Sequence, residues 1–113
     1  MKNAIVTGAS NGIGLEISKK LTENNYYVGM IDIDKENLIK ESEKIHNTIP
    51  IEGDVTNEES IKNALKTFNK TPDLIVNNAG IVIFGSLEEQ SVEDFKKSVD
   101  VSLIGSYLSL IHI

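Results

Sequence analysis

The sequence predicts an α/β fold: a doubly wound parallel sheet with helices on both faces, incomplete at about four strands and four helices. Three observations predict it. Short apolar runs alternate with segments whose apolar residues recur every three or four positions, the spacing of a helix face. The intervals between the runs are long enough for helical crossovers, which join parallel strands with a right-handed turn. The runs are also apolar almost throughout, as a sheet covered on both faces requires. The 113 residues are expected to form a single domain, since domains of about 50–250 residues are usual.

The first strand is expected near residues 3–7, around Ala4-Ile5-Val6. It runs into Thr7-Gly8-Ala9-Ser10-Asn11-Gly12-Ile13-Gly14 and then a helix near 12–24, with Ile13, Ile17 and Leu21 on one face. A strand that turns through three glycines into a helix is suited to hold a phosphate. Gly8 can take the backbone angles of a sharp turn. Gly12 keeps no side chain between an anion and the backbone, and Gly14 allows close helix–strand packing. The helix N-terminus adds free N–H groups and a partial positive charge. The spacing is G-x3-G-x-G, not the more familiar G-x-G-x-x-G. A glycine-rich turn with no ligand is the alternative. On the first reading Gly8, Ser10, Asn11, Gly12, Ile13 and Gly14 are candidate cofactor contacts.

The second strand, near 26–32, ends in Asp32, 18 residues after Gly14. A carboxylate there can accept hydrogen bonds from both hydroxyls of an adenosine ribose. It would repel a 2′-phosphate, which favours NAD over NADP. Asn11 before Gly12 places no cation for such a phosphate, although Lys35 is close. Asp32 also suits a turn before the next helix, near 35–46, where Asp34 can serve as N-cap. The third strand, near 48–54, leads to Asp54 and Val55, and Asp54 can meet an adenine amino group. The third helix, near 57–69, begins at Thr56-Asn57-Glu58-Glu59, a capping-box pattern, and carries Ile61, Leu65 and Phe68. The fourth strand, near 73–79, ends in Asn77-Asn78-Ala79-Gly80. After a loop over 81–90, a fourth helix is expected over 91–112, capped by Ser91, with Val92, Phe95, Val99 and Leu103 on one face.

These four strand ends closely resemble the short-chain dehydrogenase/reductase family. Its members carry T-G-x3-G-x-G after the first strand, an acidic residue after the second in NAD users, Asp-Val after the third and N-N-A-G after the fourth. All four stand here in order and cover the N-terminal half of the family's domain. The resemblance implies a Rossmann-like, NAD-binding domain over 1–113, ending before the catalytic half. It implies an alcohol dehydrogenase or carbonyl reductase type of reaction. It adds Asp32, Asp54, Val55, Asn78, Ala79 and Gly80 to the cofactor contacts, and places the 81–90 loop beside the active site. Packing of that loop under the sheet is the alternative.

The family's catalytic Tyr and Lys, four residues apart on one helix, have no counterpart. Tyr26, Tyr27 and Tyr107 are followed four positions on by Met30, Ile31 and Ile111. Ser102, in Val101-Ser102-Leu103-Ile104-Gly105, takes the position of the family's Asn; its hydroxyl could hold a water but has no adjacent base. No residue is assigned a catalytic role, and the chain alone is expected to be inactive. The main rival is a non-catalytic dinucleotide-binding or oligomerising module. An extended-type epimerase would carry G-x-x-G-x-x-G, which is not present.

Composition sets further bounds. The net charge is −6, with 11 basic residues, all Lys, which argues against nucleic acid or anionic membranes as partners. There is no cysteine, so neither a disulfide framework nor a thiolate metal site is available. No apolar run approaches the roughly 20 residues of a membrane span. A soluble, cytoplasmic protein is expected. The fourth strand would leave an open parallel edge, and Leu103, Leu108, Leu110 and Ile111 lack covering elements. Either a homo-oligomer or truncation of a longer gene product would account for this.

Overall fold

The computed structural model describes residues 1–80 and 91–111. The order is β1 (Lys2–Thr7), α1 (Gly12–Glu23), β2 (Tyr26–Asp32), α2 (Lys35–Ser42), β3 (Thr48–Glu52), α3 (Glu58–Phe68), β4 (Leu74–Val76), α4 (Val92–Val99), a π-helical turn (Asp100–Ile104) and α5 (Gly105–Ile111). The four strands form one sheet in the order β3-β2-β1-β4. Every pair is parallel, with Thr7 beside Ile31, Asp32 beside Glu52 and Val6 beside Val76. The doubly wound Rossmann-like fold is therefore present.

Alternation along the strands explains why the runs are apolar on both faces. Ala4, Val6, Val28 and Met30 point to one side, where Leu38 and partly buried Leu15, Ile17 and Leu21 pack on them. Ile5, Ile31 and Ile51 point to the other, against Ala64 and Phe68. Period-two alternation thus sends one residue to each core. Fully burying a side chain of this size contributes about 1.5–3 kcal/mol. Ile61 and Phe68 of α3 are buried as expected from their spacing.

Several boundaries differ from expectation, each for a local reason. The third helix is capped by Asn57, whose Oδ1 accepts from Ser60 N–H at 2.9 Å. The Thr56 hydroxyl instead donates to Asp54 Oδ1 at 2.7 Å, so it is not the cap. Helix α2 stops at Ser42, before the expected 46. Thr48 Oγ1 lies 3.2 Å from the Ser42 carbonyl and 3.1 Å from that of Ile45, and Asn47 has a positive φ of 61°. The fourth helix is not continuous over 91–112, because the π-helical turn interrupts it. Within the turn the Ser102 carbonyl accepts from Ser106 Oγ at 2.9 Å, a side-chain bond of the kind that bends helices. Ser91 caps α4 as expected, accepting from Asp94 N–H at 3.0 Å. The 81–90 loop, His112, and the packing expected of Phe95 and Ile111 lie outside what is described.

Strand β4 is three residues long rather than seven, and Thr7 is the reason. Its buried Oγ1 accepts from the N–H groups of both Asn78 and Ala79 at 3.1 Å and donates to the Val76 carbonyl at 3.4 Å. The hydroxyl takes over where a ladder would have continued, and turns Asn78-Ala79-Gly80 over the end of β1. Replacing Thr7 by isosteric Val takes this acceptor from the Ala79 amide, while Asn78 N–H keeps the Val76 carbonyl at 3.1 Å. Thr7→Val is expected to lower the unfolding free energy by about 1–3 kcal/mol, and Thr7→Ser by less. Urea denaturation followed by circular dichroism checks this; an unchanged Thr7→Val midpoint contradicts it.

Candidate functional site

Strands β2 and β4 flank β1 on opposite sides, so the chain reverses its winding direction there. In open parallel sheets a crevice forms at the carboxyl ends of strands at such a point. The glycine turn occupies it. Gly8 and Gly12 have positive φ values of 65° and 55°, a region costly for other residues. The glycines divide the work. A Cβ on Gly14 would lie 2.6 Å from Asn78 Nδ2 and overlap the Gly8 carbonyl, so this residue lets α1 close onto the strand ends. A Cβ on Gly12 would meet no protein atom within 4 Å, so this side is open to a ligand.

The start of α1 is left unsatisfied. Its N-cap, Asn11, makes no side-chain cap bond, and the first turn has no acidic residue. The Leu15 N–H to Asn11 carbonyl bond, 3.2 Å, begins the helical ladder. The amides before it are available to an anion.

Asp32 both closes a local turn and braces the glycine loop. Its Oδ2 accepts from Ser10 N–H and its Oδ1 from Asp34 N–H, each at 3.0 Å. Each oxygen retains further acceptor capacity for a ligand hydroxyl. Asp34 is the N-cap of α2, accepting from Asn37 N–H at 3.2 Å. Asp54 is held by Thr56, which donates to its Oδ1 from N–H at 2.9 Å and from the hydroxyl at 2.7 Å.

A cleft of about 750 Å³ runs between these groups, within the roughly 300–1,000 Å³ of small-molecule sites. Gly8, Asn11, Ile13, Asp32, Asp54, Val55, Asn78, Ala79 and Gly80 line it. Gly12, Ser10 and Gly14 do not line it: Gly12 is exposed beside it, next to the lining residues Asn11 and Ile13, while Ser10 and Gly14 are buried. Ser102 does not line the cleft, but its Oγ would be 3.8 Å from a Cβ on Gly80. The cleft also takes in Ile33, Lys97 and Val101, which motif spacing alone did not single out. Two supporting residues escaped it as well. Thr7 opens the T-G-x3-G-x-G motif but is given no role by motif spacing, and Asn37 carries no sequence signal, being one polar residue on a solvated helix. Among the described residues no group of three or more His, Cys, Asp or Glu could hold a metal, and no helix is long and apolar enough to cross a membrane.

The short chain dehydrogenase family model matches residues 2–111. The chain belongs to that family. It is 36% identical over 113 residues to an uncharacterized oxidoreductase of Thermotoga maritima, covering 95% of this chain and 45% of that protein. It is 30% identical over 112 residues to an NAD-dependent glycerol dehydrogenase of Listeria innocua, covering 95% and 44%. The chain thus spans about half the length of the curated relatives it matches. Among solved structures, it is similar to a 3-ketoacyl-(acyl-carrier-protein) reductase from Brucella melitensis complexed with NADH. The TM-score is 0.91 at 28% identity, covering 97% of this chain and 48% of that one. A 3-oxoacyl-[acyl-carrier protein] reductase with bound NAD, also from Brucella melitensis, gives 0.92 at 26% identity, covering 98% and 46%.

The close approach at Gly14 makes a simple prediction. Gly14→Ala is expected to destabilise the chain by about 1–3 kcal/mol through overpacking, because a backbone carbonyl, not a flexible side-chain end, stands in the way. Chemical denaturation reads the loss, and a wild-type midpoint for Gly14→Ala contradicts it.

Proposed function

We propose that this chain is the cofactor-binding part of an NAD-dependent short-chain oxidoreductase of the alcohol dehydrogenase or carbonyl reductase type. The observation that carries the reading is the cleft at the winding reversal. It joins an uncapped helix start to a carboxylate at the end of β2. The residues fit a dinucleotide. Gly12 leaves an open approach to the backbone. Ser10 Oγ, a side-chain oxygen buried behind the cleft wall, has no protein partner among the described residues.

When bound, NAD supplies the hydride acceptor and NADH the hydride donor. The chain's own groups bind and orient. The amides of Asn11, Gly12 and Ile13 would hold the pyrophosphate, and Asp32 would accept from the adenosine ribose while its charge would disfavour a 2′-phosphate. Asp54 and Val55 would hold the adenine, and Asn78, Ala79 and Gly80 would border the remainder. Ile13, 72% exposed, offers an apolar contact on the rim. The Ser102 hydroxyl, at the position of the family's Asn and near Gly80, could hold a water. The same reading places the protein in the cytoplasm.

Titration with NADH by calorimetry tests the site. Binding is expected in the wild type and lost in Gly12→Val, whose side chain would fill the ligand's approach and strain a positive φ. The wild type should prefer NADH to NADPH by about tenfold or more, and Asp32→Ser should narrow that ratio, since a charge-assisted hydrogen bond contributes about 1.5–3 kcal/mol. Equal NADH affinity in wild type and Gly12→Val, or a wild type preferring NADPH, rejects the assignment.

A second reading, a non-catalytic or oligomerising module, is favoured by two observations. No Tyr has a Lys four residues on, so the family's acid/base pair is not in this stretch. Leu103, Tyr107 and Leu110 are 65%, 58% and 55% exposed and recur at helical spacing, a stripe that a second copy could cover. The 113-residue chain is therefore expected to bind NADH without oxidising it in the presence of ketones, and to scatter light as a dimer or larger. Ketone-dependent loss of NADH absorbance would contradict the first expectation, and a monomeric mass the second.

A further inference from the structure

Ser10 is held at both ends by different elements. Its N–H donates to Asp32 Oδ2 at 3.0 Å, and its carbonyl accepts from Asn37 Nδ2 at 2.6 Å. Asn37 lies on α2, 27 residues away and half-buried. Its own N–H donates to Asp34 Oδ1 at 3.2 Å, and Asp34 N–H donates to Asp32 Oδ1 at 3.0 Å. The bonds close a ring from Ser10 to Asp32, Asp34, Asn37 and back. A trans peptide points its C=O and N–H in opposite directions, and the chain has no cis peptide. With the Ser10 carbonyl turned toward Asn37, the Asn11 N–H points away from α2. Asn11 lines the cleft, and its N–H has no protein partner among the described residues.

We propose that Asn37 is a positioning residue for anion binding: its side-chain amide anchors the Ser10 carbonyl and so keeps the Asn11 N–H directed at the dinucleotide's pyrophosphate. The proposal rests on the dinucleotide reading above. Without the anchor, the Ser10–Asn11 peptide is free to rotate. Rotation would bring a carbonyl oxygen, with its partial negative charge, to where the N–H had been, and oppose a phosphate there. Asn37 thus acts on phosphate recognition without touching the ligand.

The test uses the 113-residue chain and three ligands: NADH, ADP and adenosine, the last with no phosphate. Asn37→Leu and Asn37→Ala remove the donor without adding charge, and both residues suit a helix. Asn37→Gln restores a donor on a longer stem. Calorimetry gives the NADH and ADP dissociation constants, and an NMR titration gives that of adenosine. The donor-less variants are expected to weaken NADH and ADP about tenfold while leaving adenosine within about twofold. Asn37→Gln should recover part of the loss. A purely structural tie would weaken all three ligands together, and that result overturns the proposal. So does unchanged NADH affinity in both donor-less variants. If one variant fails to fold, the other decides. Failure of the wild type to bind NADH overturns the dinucleotide reading, and this role with it; wild-type binding that both variants retain overturns the positioning role alone.

Discussion

Everything at the open end of the sheet depends on how closely the first turn of α1 approaches the ends of β1 and β4. Gly14 sets that distance. Any side chain there would push against the Gly8 carbonyl and the Asn78 amide. Asn78 Nδ2 in turn donates to the Gly8 carbonyl at 3.2 Å, and Thr7 gathers the Asn78 and Ala79 amides one residue earlier. The floor of the cleft is thus a set of backbone groups from β1, α1 and the segment after β4, locked at near-contact distances. Because interiors are packed as tightly as crystals, one methyl group at this junction would move several lining residues at once.

The same junction bears on how an acidic chain could present the anion site proposed above. The net charge is −6, and the cleft wall carries Asp32, Asp54, Glu93 and Asp100 against Lys96 and Lys97. Side-chain charge alone does not favour a pyrophosphate. The difference lies in the helix starts. Helices α2, α3 and α4 are capped by Asp34, Asn57 and Ser91, and each has an acidic residue in its first turn. Helix α1 has neither. Of α1 to α4, three answer their own N-terminal amides and α1 does not. A positive dipole end with unpaired N–H groups acts over a short range, and the nearby Asp32 carboxylate is already engaged by the Ser10 and Asp34 N–H groups.

Much of this was legible in the chain, and the limits are physical. Strands near 3–7 and 26–32 were readable because both cores take alternate residues, which makes the runs continuously apolar. The glycine turn and Asp32 were readable because φ, close approach and charge each restrict residue type. Helix ends were less so. Thr56 and Asn57 are both competent caps, and only the competing bond from Thr56 to Asp54 decides between them. The break at Asp100–Ile104 leaves no mark in a periodicity that passes through it with apolar residues on either side. Asn37 was invisible because its partner is a backbone carbonyl 27 residues away, and any backbone carbonyl reads the same in sequence. Family motifs pointed to cleft residues; they did not point to the side chains that hold the motif in shape.

In the proposed site, Asp32 would serve both the ribose and the loop before the phosphates. A residue that only read the cofactor's 2′-position would present its carboxylate to the ligand and nothing else. Asp32 instead bonds the Ser10 N–H on one oxygen and the Asp34 N–H on the other. It contributes to the loop's shape before any ligand arrives. Those two bonds also orient the carboxylate, so less entropy is lost when a ribose binds. The cost is coupling. A substitution at Asp32 that favours a 2′-phosphate also removes the tie that orders the residue before the pyrophosphate loop. On the proposed reading, charge selectivity and loop order would change together, and a switch of cofactor preference would need a second residue to brace Ser10.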